Sequence, residues 1–194
     1  MSDTATTEAK LRLRRAMRDR RDAMPESERR AREAAVAAVA FEPFDGPPLV
    51  VSSFWAMGSE IDPGPLEKRL RMAGHRIGLP VMVGRQHPLE FRLWQSGDPL
   101  VERLWGIREP AAGAPVVDPD VLIVPLLAFD AAGWRLGYGA GFYDRTLQKL
   151  RATRSVVAVG LAFDEQRVDA VPHLDYDERL DWVVTPSGAL RCSA

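Results

Sequence analysis

The chain has 194 residues, with 26 Lys+Arg against 27 Asp+Glu and 46% hydrophobic residues. That length fits one domain whose core needs no disulfide or metal support, and the composition excludes wholesale disorder. A net charge of -1 supplies no overall field for nucleic acid or anionic lipid, so neither partner is expected. No apolar run reaches the roughly 20 residues of a membrane span. The single cysteine, Cys192, cannot form an internal disulfide, and the opening MSDTATTEAK lacks the basic and apolar regions of a secretory leader. A cytoplasmic protein is the expectation.

In chain order, residues 1–9 are polar and expected to be flexible, and 10–41 are expected to form helices that pack on the core. The first helix runs from Glu8 to Ala23, free of Gly and Pro, and the second from Glu26 to about Phe41. After Pro47-Pro48, LVVSSFW reads as a buried strand. Asp62-Pro63 starts a helix with Leu66 and Leu70 on one face and Gly74 past its end. Strands are expected over 76–83 and 89–94, followed by a loop from Gly106 to Pro119. The strongest strand signal is VLIVPLLAF, Val121 to Phe129. A helix from Tyr143 to Arg151, a strand from Val156 to Ala162 and a last strand from Asp181 to Thr185 close the chain. Strands alternating with helices predict a single-domain α/β layered sandwich over 1–194, with a mostly parallel central sheet and helices on both faces.

The most informative segment is FDAAGWRLGYGAGFYDRTLQK, Phe129 to Lys149. A central strand ends, Gly137, Gly139 and Gly141 alternate, and a helix opens at Tyr143-Asp144. Glycines leading into a helix let backbone N–H groups approach phosphate oxygens, and Arg135 can pair with an anion. Asp144 beside phosphate calls for a cation between them, ordinarily Mg²⁺. The plainer reading is a glycine-rich turn with Asp144 as a helix cap. Phe142 occupies the third glycine position of the dinucleotide fingerprint GxGxxG, and no Gly-Lys pair exists for a P-loop.

Two further features stand out. Lys10, Arg14 and Arg18 lie four apart on one face of the first helix, within a stretch of seven cations and one acid over residues 10–21. This is either a solvated face or a phosphate clamp closing on the glycine loop. FWAMGSEID follows the first strand. There Phe54, Trp55 and Met57 offer surface for a ring-shaped ligand, and Glu60 can accept from an aminopyrimidine-type edge, unless these are ordinary core and surface residues. The three histidines and one cysteine form no zinc pattern, and no GxSxG elbow is present.

PLLAFDAAGWRLGYGAGFYDRTL resembles the signature of the 5-formyltetrahydrofolate cyclo-ligase (5,10-methenyltetrahydrofolate synthetase) family. Supporting pieces occur in order along the chain: KLRLR, SEID, GIREP, AVGLAFDEQ and YDERLDWVVTP. The resemblance implies a Rossmann-like fold of the sugar-phosphate isomerase and CoA-transferase type. It implies an enzyme that uses ATP and Mg²⁺ to convert 5-formyltetrahydrofolate to 5,10-methenyltetrahydrofolate, releasing ADP and phosphate. A monomer is expected.

By motif, Lys10 and Arg14 match the phosphate-binding pair, and the nucleotide loop is Arg135, Leu136, Gly137, Tyr138, Gly139, Ala140, Gly141, Phe142 and Tyr143. Its middle, Tyr138 to Phe142, also approaches the folate, with Trp55 and Glu60. Arg135 and Lys10 carry the catalytic charge. Asp144 and Asp177 match metal-linked carboxylates, with Asp175 and Asp181 competing for the second place. Ala140 and Phe142 depart from the commonest loop, where a glycine or larger residue and a tyrosine are frequent. Two rivals stay open at this stage. One is an ATP-independent enzyme on the same scaffold; the other is a non-catalytic folate-, nucleotide- or RNA-binding relative.

Overall fold

A computed structural model describes residues 3–103 and 106–193. Three helices precede or flank the first half of the sheet: α1 (Asp3–Asp22), α2 (Glu26–Ala38) and α3 (Gly64–Met72). The strands of the main sheet are β1 (Val50–Ser52), β2 (Arg76–Val81), β3 (Glu90–Leu93), β6 (Val116–Val117), β7 (Val121–Pro125), β10 (Val157–Leu161), β11 (Trp182–Thr185) and β12 (Gly188–Arg191). Two small ribbons pair β4 (Leu100–Glu102) with β5 (Arg108–Pro110), and β8 (Ala128–Phe129) with β9 (Arg135–Leu136). Helix α4 (Phe142–Arg151) follows the second ribbon.

The eight-stranded order is β12-β11-β10-β7-β1-β2-β3-β6, and the five central strands β11 to β2 run parallel. The chain moves outward from β1 through α3 to β2, then returns to β7 on the other side of β1 and continues to β10 and β11. The direction therefore reverses between β1 and β7. In open α/β sheets such a switch point leaves a crevice at the carboxyl ends of the two strands.

Alternation along β7 builds two apolar layers. Val121 and Ile123 face Val51, Ile77, Val159, Leu161 and Val184, and α2 and α3 cover them with Val36, Leu66 and Leu70. Leu122 and Val124 face Phe91, Ala158 and Val183 on the opposite side, covered by Leu147 and Leu150 of α4. This is the expected layered α/β sandwich, with helices on both faces. A third cluster sits beyond the end of β7, where Met17 and Leu13 of α1 meet Leu127, Ala128, Leu136 and Val171. Helix α1 therefore lies over the carboxyl end of the sheet, not against its faces.

Several boundaries differ from the sequence reading. Helix α1 starts at Asp3, with Thr6 buried, so among residues 1–9 the described ones are helical and not loose; residues 1 and 2 lie outside the described residues. The Val121–Phe129 run is two strands, because Pro125 has no N–H to continue the ladder and the Leu126 and Leu127 carbonyls turn to the Gln166 amide. The stretch 106–119 contains β5 and β6 as well as loop. The β8–β9 turn is fixed by Asp130, whose Oδ1 accepts from the Ala132 and Trp134 N–H groups at 3.0 Å each and whose Oδ2 accepts from Val171 N–H at 2.8 Å. Gly133 in that turn has φ +86°, and a Cβ there would lie 2.4 Å from the Leu180 carbonyl oxygen.

Candidate functional site

Strand β9 and the glycine segment after it run from beneath α1 into the first turn of α4. Leu136 is buried and its carbonyl accepts from Leu127 N–H at 2.7 Å, which anchors the start of the loop. The left-handed positions fall on Gly139, at φ +101°, and on Gly141, the N-cap of α4, at φ +68° and ψ +15°. Ala140, between them, is exposed, and its carbonyl accepts from Arg145 at 2.7 Å. A side chain at 139 would meet the Arg14 guanidinium at 3.4 Å, so the glycine lets α1 approach the loop. Phe142 packs against the α4 layer with the Arg145 guanidinium 5.5 Å above its ring, and Tyr143 packs beside it.

The cations expected from the sequence converge here. Arg14, half-buried, donates to the Gly137 carbonyl at 2.9 Å. Burial pulls its affinity for a proton down, against the opposing charges of Asp177 and Tyr176. Lys10 is buried and pairs with Asp177, whose same oxygen accepts from Leu174 N–H at 2.6 Å. Arg135, also buried, donates to Asp144 Oδ1 at 2.7 Å and to the Glu178 carbonyl. Asp144 Oδ1 accepts Glu178 N–H as well, at 3.1 Å. The 174–178 loop is thus stitched to both Lys10 and Arg135. Asp175 is exposed, and Asp181 pairs with Arg151 at 3.0 Å, so Asp177 is the member of the closing acidic run that meets Lys10.

Among the described residues no group of three His, Cys, Asp or Glu side chains is arranged to hold a metal. Asp144 and Asp177 each leave one carboxylate oxygen without a hydrogen bond among the described residues. Mg²⁺ ordinarily takes one or two carboxylates and completes its shell with water and substrate phosphate, so this donor set fits Mg²⁺ carried by a nucleotide.

The second half of the site lies at the carboxyl end of β1. Glu60 is buried; its Oε2 accepts Met57 N–H at 2.8 Å, and its Oε1 is buried without a partner among the described residues. Burial raises its carboxyl above the ordinary range, opposed by the Tyr138 hydroxyl, the Met57 N–H and the Arg21 charge. The same burial, with the Glu60 charge, raises the phenols of Tyr138 and Tyr143. Ser52 Oγ, at the end of β1, is also buried without a partner among the described residues, and the neighbouring Ser53 hydroxyl faces Glu67. Buried polar atoms are rarely left unpaired, so Glu60 Oε1 can accept a hydrogen bond from a polar ligand at the carboxyl end of β1. Trp55, half-buried, has the Arg108 guanidinium 5.5 Å above its ring.

Arg21 was not among the expected site residues. It is buried, donates from Nε to Ser59 Oγ at 3.0 Å and from Nη1 to the Tyr138 hydroxyl at 2.7 Å, and lies 5.8 Å above the Tyr138 ring. Arg18, expected to share the face of Lys10 and Arg14, is exposed. Helical spacing could have found Arg21, which follows Arg14 by seven residues, or two turns.

The sequence profile of the 5-formyltetrahydrofolate cyclo-ligase family matches residues 6–186. The chain belongs to that family. It is 41% identical over 154 residues to 5-formyltetrahydrofolate cyclo-ligase of Escherichia coli (strain K12), covering 73% of this chain and 82% of that protein. It is 37% identical over 144 residues to the cyclo-ligase of Mycolicibacterium smegmatis, covering 70% and 73% of the two chains. Among solved structures, the Aquifex aeolicus 5,10-methenyltetrahydrofolate synthetase superposes with a TM-score of 0.80 at 27% identity, covering 95% of this chain and 93% of that one. The Mycoplasma pneumoniae 5,10-methenyltetrahydrofolate synthetase shares the fold, with a TM-score of 0.72 at 21% identity, covering 91% and 98%. As a cyclo-ligase family member, the chain carries the family's fold almost end to end.

Proposed function

We propose that this cyclo-ligase converts 5-formyltetrahydrofolate to 5,10-methenyltetrahydrofolate at the expense of ATP, releasing ADP and phosphate. One observation carries the reading: Arg14 reaches the Gly137 carbonyl, Lys10 and Arg135 both hold the 174–178 loop, and Tyr138 of the glycine segment faces the buried Glu60.

The chemistry explains that pairing. The N5-formyl group has a weakly electrophilic carbon and an oxygen that leaves poorly. That oxygen takes the γ-phosphoryl group, ADP departs, and the formyl carbon becomes an iminium-like centre. N10 attacks the carbon, forming the second C–N bond, and loses its proton; phosphate then leaves with the former formyl oxygen as a nitrogen lone pair forms the C=N bond shared by N5 and N10. The protein's part is to align the two reactants and neutralise charge on the phosphoryl group. Lys10, Arg14 and Arg135 supply that charge, and the N–H groups of the glycine segment and the start of α4 hold the phosphates. Glu60 accepts from the amino edge of the pterin, and Trp55 with Phe142 and the middle of the loop covers the ring. Bound Mg²⁺ would offset phosphate charge, held by Asp144 and Asp177.

The finer parts of the reading are that ATP arrives with Mg²⁺, that the protein acts as a monomer and that it works in the cytoplasm. A single thiol, pushed up to about 11 by burial, suits a compartment without disulfides.

The test mixes the protein with 5-formyltetrahydrofolate and Mg²⁺, with and without ATP, and follows methenyl absorbance and ADP. An ATP-dependent rise matched by ADP is expected. Nucleotide binding without any rise would refute the folate assignment.

A further inference from the structure

Burying a guanidinium whose direct hydrogen bonds all go to neutral groups is costly. Arg21 is in that position. Its hydrogen-bond partners, Ser59 Oγ at 3.0 Å and the Tyr138 hydroxyl at 2.7 Å, are both neutral. A side chain needed only to pack α1 against the loop would be better served by an apolar residue. The nearby buried anion is Glu60, which feels both the Arg21 charge and the Tyr138 hydroxyl. Ser59, one residue before Glu60, completes the circle by donating to Asp22, the neighbour of Arg21 on α1.

We propose that Arg21 is a positioning residue for the folate: it holds the Tyr138 hydroxyl and the Ser59–Glu60 turn in the arrangement that receives the pterin edge. The proposal rests on the folate reading of the Glu60 pocket. Arg21 itself need not touch substrate. The groups facing Glu60 are Arg21, with Asp22 reached through Ser59, from α1, Tyr138 from the glycine segment, Tyr143 from α4, and the Met57 N–H from its own loop. Arg21 is the positive member of that set. Without it, the Glu60 carboxylate is less favoured, and Tyr138 loses the donor that fixes its hydroxyl.

The test compares wild type, Arg21→Met, Arg21→Lys and Tyr138→Phe. Arg21→Met is expected to raise KM for 5-formyltetrahydrofolate by about tenfold or more, while KM for ATP at saturating folate moves by less than about threefold. The folate KM of that variant should rise more steeply than that of wild type as pH falls, because the Arg21 charge no longer opposes a proton on Glu60. Arg21→Lys restores the charge and should recover most of the loss. A Met variant with wild-type folate KM, or with both KM values raised together and no added pH dependence, would overturn the role and leave Arg21 a structural clamp. Should Arg21→Met not fold, Tyr138→Phe must still raise the folate KM selectively; an unchanged value there overturns the proposal. Wild type that makes no methenyl product would refute the folate reading, whereas active wild type with unmoved variants refutes only the part given to Arg21.

Discussion

Replacing Arg135 by alanine tests two consequences of one side chain. The guanidinium is buried, donates to Asp144 Oδ1 at 2.7 Å and also donates to the Glu178 carbonyl. In the reaction it would sit against the transferring phosphoryl group, where loss of one aimed positive donor costs about 10²–10³ in kcat, or about 3–4 kcal/mol. In the folded protein the change removes two contacts and leaves the Glu178 carbonyl short of a donor. Asp144 is about a quarter exposed, so water recovers part of that loss. A stability cost of about 2 kcal/mol follows, which lowers the melting temperature by roughly 4–8 °C for a chain of this size. Turnover measured at 25 °C, well below melting, separates the two. The expected result is a kcat lower by at least about 10² in a protein that melts cooperatively. Near-normal kcat would remove Arg135 from charge stabilisation, whatever the melting curve does.

Three other outcomes are expected. Asp144→Asn should raise the Mg²⁺ concentration for half-maximal turnover by about tenfold or more, and an unchanged Mg²⁺ titration would take Asp144 out of the metal's company. Gly133→Ala forces a Cβ to 2.4 Å from the Leu180 carbonyl at φ +86°, and should cost at least about 2 kcal/mol in urea unfolding; a loss under half that would mean the β8–β9 turn relaxes freely. His75 is buried against Phe44, accepts Leu49 N–H at 3.1 Å, and is held below its ordinary pKa by desolvation. The unfolded chain therefore binds the proton more readily, so stability is full above about pH 6.5 and declines as pH falls below it. His75→Gln should flatten the fall in unfolding free energy between pH 7.5 and 5.5, and an identical slope in both proteins would count against this assignment.

What the chain disclosed in advance followed from local rules. Helix α3 is bounded by Asp62, whose Oδ1 caps the Gly64 N–H at 2.9 Å, and by Gly74 at φ +90°, and both are written in residue type. The continuous apolar run through Val121–Val124 announced a strand buried on both faces. The short strands β4, β9 and β12 were not visible, since two to four residues carry no period of their own and pair only because tertiary structure brings a partner alongside. The site behaved the same way. The glycine segment, Lys10, Arg14 and Glu60 stand out by composition and spacing. Lys10 meeting Asp177 joins positions far apart in the chain, and Arg21 looked like one more cation in a basic helix until the fold turned it inward.

On the proposed reading of Lys10 and Arg21, helix α1 is a ruler between the two substrates. Lys10 and Arg21 are eleven residues apart, or about 16 Å along a straight helix at 1.5 Å per residue, and three turns bring them back to nearly one side. The phosphate end and the pterin end of the reaction are thereby gauged by one rigid rod. One residue inserted between Arg14 and Arg21 would lengthen the rod by only about 1.5 Å but swing Arg21 about 100° around the axis, off Tyr138 and into solvent. Such an insertion would keep every side chain the chemistry asks for, yet lose the shared alignment of nucleotide and folate.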